Sequence, residues 1–368
     1  MSGKVFFAVL NLGLGHATRS LPIIREFVRR KWEVLIGSNG RALALLKNEV
    51  PEAQFVETPS YELTYAKNDS TSFALFLQSP KFLRGIRDEH AFCEYIVSRF
   101  QPNLIISDQC YGIHHRRVIS FLISHQIYFE MPAGFSIARK AVGRLNRHYY
   151  EKFSKIIIPD FPDGDGGLLS GRLSEVPDMR HKYVFAGLFS SVRKTEVPLE
   201  IDVLVSISGP EPQRTIFEEK VLREVERIPG KKVVLLGKSE SQEVLTDRDD
   251  LKVYSHMPRE KMVDLMNKSG LIVSRSGYST LMELVELGKP ALFVPTPGQT
   301  EQIYLSKRMQ EKRWFYSVPQ KELSLRRDVE IARDYAGLFK PKVTQWTINR
   351  LFDKVFRLNA PQEVVHSR

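Results

Sequence analysis

The sequence predicts an α/β protein built from two doubly wound, Rossmann-like domains that face a central cleft. Three observations lead there. Short apolar runs alternate with helical patterns along the chain, as in parallel sheets with helical crossovers. Twice a strand passes into a helix through a small-residue loop bearing glycine, at Leu10 to Arg19 and at Val273 to Gln302. A polar stretch, Ser190 to Glu200, reads as a linker. The implied boundaries are 1–190 for an N-terminal domain and 200–340 for a C-terminal domain, with a helix and tail over 341–368 that can pack back on the first domain.

Taken in order, Lys4 to Leu10 is a strand, followed by Asn11-Leu12-Gly13-Leu14-Gly15-His16 and a helix over 17–30. Gly13 and Gly15 let the backbone turn tightly and leave His16 near the helix start. Strands follow at Glu33 to Ile36, Gln54 to Val56, Leu104 to Ser107, Ile127 to Glu130, Ile156 to Ile158 and Tyr183 to Phe185, with helices near 41–47 and inside 71–100. Asp108 stands just past one of those strands, on the edge where open α/β sheets bind ligands, as does His16. The two could meet there. A Gly/Asp-rich loop over 160–171 reads as a turn, since it lacks the ligand spacing of a calcium loop.

The second half opens with Ile201 to Ile207, the loop Ser208-Gly209-Pro210 and a helix over 213–227. Strands at Lys232 to Leu236, Leu251 to Tyr254, Leu271 to Val273, Ala291 to Val294 and Trp314 to Tyr316 continue it, with helices over 259–267, beyond Gln302 to about Glu311, and over 343–356.

The stretch from Val273 to Gln302 carries the most chemistry. A helical pattern starts directly after Arg275-Ser276-Gly277 and stops at Gly288-Lys289-Pro290. A helix start leaves backbone N–H groups unpaired at the positive end of its dipole, a fit for a phosphate. Glu283 lies seven residues past Ser276, roughly 10 Å along a helix, a reach from phosphate to ribose hydroxyls. The next strand ends at Pro295-Thr296-Pro297-Gly298, then Gln299, Glu301 and Gln302, side chains suited to sugar hydroxyls. The bland reading is an ordinary turn with Glu283 on a solvated face.

At 368 residues, 42% apolar and 26% charged, the chain has the composition of a folded soluble protein with room for two domains. No apolar run reaches the ~20 residues of a membrane span, and no signal-peptide pattern precedes the first strand. The two cysteines, Cys93 and Cys110, are too few for a disulfide framework or a cysteine zinc site and fit a cytoplasmic setting. Fifty-four basic against forty-three acidic residues give +11, which favours anionic partners, and no nucleic-acid motif is present. Between 137 and 155, Arg139, Lys140, Arg144, Arg147, Lys152 and Lys155 face one carboxylate, Glu151, with Leu145, Tyr149 and Phe153 at helical spacing. Such a face suits an anionic membrane surface, with Lys81 to Arg84 as a second corner, or equally a core-facing helix with a solvated basic side. A dinucleotide fingerprint is incomplete, since Thr18 stands in place of the third glycine and Ser38 in place of the ribose carboxylate.

On GLGHATRS and RSGYSTLMELVELGKPALFVPTPGQTEQ, the chain resembles glycosyltransferases of the GT-B fold, the family 28 and family 1 UDP-sugar transferases. That group includes the lipid II-forming N-acetylglucosaminyltransferase and the galactolipid synthases. The resemblance covers both halves and is strongest in the first string and from His256 to Met309. It implies that the C-terminal domain binds a nucleotide sugar, a UDP-sugar by the family's pattern, and the N-terminal domain the acceptor. Ser276 and Gly277 then match the diphosphate loop, Arg275 a position near it, Glu283 the ribose carboxylate, and Gln299, Glu301 and Gln302 the donor-sugar loop. His256 and Met257 match the loop that brackets the base. Ser208 and Gly209 match the first small-residue loop of that domain, although Gly209-Pro210 replaces the longer glycine run of the lipid II enzyme. His16 matches a general base, and Asp108 resembles its orienting carboxylate in the plant and antibiotic members.

The expected reaction is direct attack of an acceptor hydroxyl on the donor's anomeric carbon, inverting it, with His16 as base. No cofactor or metal is expected, because the helix dipole does the work of a divalent cation and the chain has no Asp-X-Asp pair in a fitting loop. A UDP-sugar 2-epimerase or hydrolase, and a non-catalytic nucleotide-sugar-binding accessory protein, are the alternatives. The expected location is cytoplasmic, with a peripheral position on the inner face of the membrane left open.

Overall fold

The computed structural model describes residues 3–60, 80–127, 136–164, 166–175, 179–238, 243–338 and 343–358, with backbone alone at residues 80 and 136–142. Two compact units emerge: described residues up to 191 and from 343 form the first, and residues 192–338 the second.

The first unit carries a seven-stranded parallel sheet. Its strands are β1 (Lys4–Val9), β2 (Glu33–Ser38), β3 (Gln54–Glu57), β4 (Leu104–Asp108), β5 (Ile119–Ile123), β6 (Lys155–Ile158) and, beyond a small hairpin of β7 (Pro162–Asp163) and β8 (Gly166–Gly167), β9 (Tyr183–Phe185). The order is β3-β2-β1-β4-β5-β6-β9. Alternation along β1 divides the core. Val5, Phe7 and Val9 join one cluster with Leu21, Ile24 and Phe27, while Phe6 and Ala8 join another with Cys93 and Ile96. A strand covered on both faces reads as one apolar run, which is why β1 is plain in sequence.

Helix α1 (Gly15–Arg29) and α2 (Gly40–Glu49) follow β1 and β2, α3 (Pro80–Phe100) precedes β4, and α4 (Ser136–Tyr150) precedes β6. The sequence expectation of a strand at Ile127 to Glu130 is not met at Ile127, which lies in a bend, and residues 128–130 fall outside the described residues. The sheet member there is β5, ISFLI, paired with β4 from Leu104↔Ile119 to Asp108↔Ile123. The loop read over 61–70 also lies outside the described residues.

The second unit has a seven-stranded sheet of β10 (Ile201–Ser206), β11 (Lys232–Leu235), β12 (Val244–Asp247), β13 (Leu251–Tyr254), β14 (Ser269–Ser274), β15 (Ala291–Phe293) and β16 (Tyr316–Ser317). The order is β12-β13-β11-β10-β14-β15-β16. Only the edge strand β12 runs antiparallel, against β13; all other pairings in this sheet are parallel. Helices α5 (Gln213–Glu224), α6 (Arg259–Lys268), α7 (Tyr278–Leu287), α8 (Thr300–Glu311) and α9 (Leu325–Ala332) cover it. Helix α7 stops at Gly288, whose φ of 66° lets its N–H reach back to Leu284 O at 2.8 Å.

Helix α10 (Val343–Arg350) and the turn over 351–355 belong to the first unit. Ile348, Leu351, Phe352 and Phe356 enter the same cluster as Phe27, with the Phe27 and Phe352 rings 4.6 Å apart. Arg30 stacks over Phe352 at 4.5 Å and donates to Leu358 O at 2.9 Å. Among the described residues no helix is long and apolar enough to cross a membrane.

Candidate active site

In the first unit the strand order reverses between β1 and β4, and crevices at such reversals are where open α/β sheets bind ligands. The loop after β1 and the end of β4 meet there. Gly13 takes φ +75° in that loop, and Gly15 opens α1. His16 then stands in the first turn of α1, and its Nδ1 is 2.9 Å from Oδ1 of Asp108, the last residue of β4. Asp108 is fully buried. Arg19, one helical turn past His16, donates to both Asp108 oxygens, with Nε 2.8 Å from Oδ2 and Nη2 on Oδ1. The Ser20 hydroxyl donates to Oδ2 at 2.8 Å, and Arg19 Nη1 donates to Nδ1 of His125, in the turn after β5, at 2.9 Å.

These contacts set the protonation. Burial alone would raise the Asp108 carboxyl, but the Arg19 charge, with His16, holds it well below the ordinary carboxylate range. Burial lowers His16, and the Arg19 charge adds to this, outweighing the pull of Asp108 in the other direction. His16 is therefore a neutral imidazole at neutral pH.

In the second unit the order reverses between β10 and β14, and the loops leaving these two strands carry Ser208-Gly209 and Arg275-Ser276-Gly277. Gly277 is the N-cap of α7, with ordinary φ −69° and ψ 147°, no side-chain cap and no acidic residue in the first turn. A Cβ at Gly277 would meet only Thr280 Oγ1, at 3.9 Å. Nothing in the fold requires glycine there, and the open space lies at the positive end of the α7 dipole, a fit for an anion. At Gly209 the reason is different, because φ +122° excludes a side chain.

Arg275, which the resemblance places near the diphosphate, has its side chain engaged by the backbone of the surrounding loops. It is 2% exposed and donates to four backbone carbonyls: Ser208 at 3.2 Å, Val294 at 2.9 Å, Pro295 at 3.3 Å and Gln213 at 3.0 Å. Its guanidinium lies over the Phe217 ring at 4.4 Å, and burial pushes it down to about 10. It stitches the loops after β10, β14 and β15 together, and can act on an anion through its field rather than by a fork of hydrogen bonds.

Glu283 and the glutamines are likewise engaged. Glu283 Oε1 is 2.5 Å from Nη2 of Arg259, the first residue of α6, which places half-buried His256 and Met257 in the loop leading to that pair. Gln302 accepts from the Thr296 N–H at 2.9 Å and donates to Gln299 Oε1, while the Ser276 hydroxyl donates to Gln302 O at 2.9 Å. Glu301 sits half-buried in the first turn of α8. The donor-loop side chains so form a closed ring of bonds, with spare lone pairs and N–H groups rather than free arms. Thr296 Oγ1, buried, has no hydrogen-bond partner among the described residues and lies 3.5 Å from where a Gly209 Cβ would stand.

Residues 213–332 match the model for the glycosyltransferase family 28 C-terminal domain. An uncharacterized glycosyltransferase of Methanosarcina acetivorans is 25% identical over 321 residues, 81% of each chain. The crystal structure of CalG4, the calicheamicin glycosyltransferase, superposes with a TM-score of 0.66 at 14% identity, covering 97% of this chain and 98% of that one. The chain is a glycosyltransferase of the GT-B fold, with a family 28 C-terminal domain over residues 213–332. This glycosyltransferase is also similar to the UDP-N-acetylglucosamine--N-acetylmuramyl-(pentapeptide) pyrophosphoryl-undecaprenol N-acetylglucosamine transferase of Rickettsia akari. That relative is 22% identical over 269 residues, 61% of this chain and 70% of its own.

Sequence reasoning about the glycosyltransferase missed Arg19, Ser20, His125, Arg259 and Thr296. Arg19 had one signal, a basic residue at i+3 from His16 on a helix whose other side is apolar. Ser20 and His125 take their meaning from Asp108 and Arg19, Arg259 from Glu283 on a neighbouring helix, and Thr296 from a hydroxyl unpartnered among the described residues, none of which local spacing encodes. On the basic face, Arg144 and Arg147 are exposed while Tyr150 is buried against Tyr111, ring centroids 5.8 Å apart, so the apolar side of α4 faces the core. The side chains of Arg139 and Lys140 lie outside the described residues. At the second basic corner, Phe82 is buried, 5.9 Å from the Tyr111 ring.

Proposed function

We propose that this glycosyltransferase moves a hexose or N-acetylhexosamine from a UDP-sugar to a hydroxyl of a lipid or glycan acceptor, inverting the anomeric centre without a metal. The observation that carries the reading is Gly277: a helix start with no cap, no acid in its first turn, and space where a side chain would fit. Such a start turns the positive end of a helix dipole toward open space, where an anion is favoured. UDP in particular is supported by similar proteins at 22% and 24% identity, both named as UDP-N-acetylglucosamine transferases.

In this reading the donor diphosphate rests on the amides at Ser276 to Tyr278, with Arg275 contributing field from beneath. Glu283, oriented by Arg259, takes ribose hydroxyls, and the loop of His256 and Met257 brackets the base. Gln299, Glu301 and Gln302 meet the sugar. His16 Nε2 removes the proton from the acceptor hydroxyl as its oxygen bonds to the anomeric carbon. The bond from that carbon to the diphosphate breaks, and the electron pair leaves with UDP. The helix dipole offsets charge on the departing group, the service a divalent cation would otherwise give. Arg144 and Arg147, with Arg139 and Lys140 on the same helix, suit a peripheral position on an anionic inner membrane face, where a lipid acceptor would be met.

Competition calorimetry with UDP, GDP and dTDP tests the donor, followed by transfer assays with UDP-glucose, UDP-galactose and UDP-N-acetylglucosamine. UDP should bind at least tenfold tighter than the other two, roughly 1.4 kcal/mol. Equal binding of all three, or UDP release that never requires an acceptor, overturns the reading.

A further inference from the structure

Nδ1 of His16 has two partners at the same distance, Asp108 Oδ1 at 2.9 Å, which can only accept, and Arg19 Nη2 at 2.9 Å, which can only donate. Asp108 is itself saturated, taking two N–H groups from Arg19, the Ser20 hydroxyl and His16. Arg19 is 2% exposed and Asp108 is fully buried, so neither charge is screened by water. A bare histidine and aspartate pair draws a proton onto the imidazole, because the carboxylate stabilises the cation. Here a guanidinium stands as close to the ring as the carboxylate does.

We propose that Arg19 is a positioning residue that cancels the charge of Asp108 toward His16, so that Asp108 fixes the ring without loading it with a proton in advance. The inference rests on the base role given to His16 above and adds what keeps that base empty. The Nδ1–H tautomer donates to Asp108 and leaves Nε2 bare to receive the acceptor proton. The other tautomer takes its Nδ1 bond from Arg19, so the ring is held in one place in either state. The third neighbour, His125, spends Nδ1 accepting from Arg19 Nη1 and adds no carboxylate to the cluster. Among the described residues, Arg19 and Ser20 from α1, Asp108 from β4 and His125 after β5 are the groups facing this cluster. The lowering of His16 by burial and by Arg19 agrees with this balance.

The test is a cycle of wild type, Arg19→Gln, Asp108→Asn and the double variant. His16 is followed by its ring C–H signals in an NMR titration, assigned by their loss in His16→Gln. Removing Arg19 should raise the His16 midpoint in both backgrounds, from wild type to Arg19→Gln and from Asp108→Asn to the double variant. The double variant retains no buried charge and keeps the measurement available if Arg19→Gln does not fold. In turnover, Arg19→Gln should lose about tenfold or more at pH 6.5 and recover to within about threefold of wild type at pH 9, while Arg19→Lys keeps the wild-type profile. A His16 midpoint unmoved by loss of Arg19 in either background overturns the proposal, as does an activity loss equal at every pH. If His16→Gln retains turnover, the base role fails, and the titration still reads the charge balance by itself.

Discussion

Arg259 Nη2 lies 2.5 Å from Glu283 Oε1, so the carboxylate read as a ribose ligand already holds a cation. Both side chains are largely buried, at 15% and 10% exposure, and the pair joins the start of α6 to the middle of α7. Removing the cation leaves Glu283 buried without its partner, which mispositions it and raises its desolvation cost. Arg259→Ala should raise the donor KM about tenfold with kcat changed less than about threefold, the mark of binding shared by ground and transition states. A donor KM within twofold of wild type would detach this pair from the donor site.

Gly277→Ala separates fold from ligand. The added methyl meets only Thr280 Oγ1 at 3.9 Å and φ is ordinary, so the cost is confined to the poorer N-cap preference of alanine, about 1 kcal/mol, and Tm should fall by no more than about 4 °C. UDP affinity should fall at least about tenfold, because the methyl stands where a phosphate oxygen would approach. A variant that binds UDP as tightly as wild type would remove the phosphate from this turn.

His16→Ala should cut turnover by about a hundredfold or more while UDP affinity stays within twofold, as expected for loss of a general base. A loss smaller than tenfold would assign proton removal to another group.

Acid sensitivity has a second source away from the dyad. His114 stacks on His90 with centroids 4.6 Å apart, and burial, with charge from His90 and Lys152, pushes it down from 6.5 to about 4. A folded-state value below the unfolded one contributes stability that is complete above pH 6.5 and is lost as pH falls toward 4. His114→Gln should reduce the loss between pH 7 and pH 4.5 by about 1 kcal/mol after discounting for its partial exposure to water. Parallel acid curves for variant and wild type by urea titration would contradict this.

Phe352 is fully buried between Phe27, at 4.6 Å, and Phe356, at 5.3 Å. Phe352→Ala should cost about 3–5 kcal/mol in urea unfolding of the first unit. A cost below about 1 kcal/mol would mean that α10 is an appendage rather than a part of that core.

What could be read in advance follows a physical line. Buried parallel strands announce themselves as apolar runs, so β1, β10 and β14 were plain. The exposed edge strand β12 has a burial pattern with three open positions in four and gave no alternation to find. β5 was overlooked although ISFLI is apolar, because two arginines and a valine precede it and Ile127 drew the strand instead. His16 and Gly277 are legible because a strand end followed by small residues fixes their place on a sheet edge, and Asp108 because it closes an apolar strand. Arg19 and Arg259 were not, because their meaning comes from carboxylates 89 and 24 residues away.

The core that Phe27 begins is closed by Phe352, with the whole second unit encoded between them. At about 5–20 residues per second, a ribosome needs on the order of ten seconds or more to travel from residue 191 to 358. Through that interval one part of the first core, where Phe27 and Phe121 meet Phe352 and Phe356, waits for α10, while the described residues of the second unit, 192–338, are all made before α10. The later half of the gene product can thus mature before the earlier half, and a nascent chain stalled short of α10 would present that open apolar patch to chaperones.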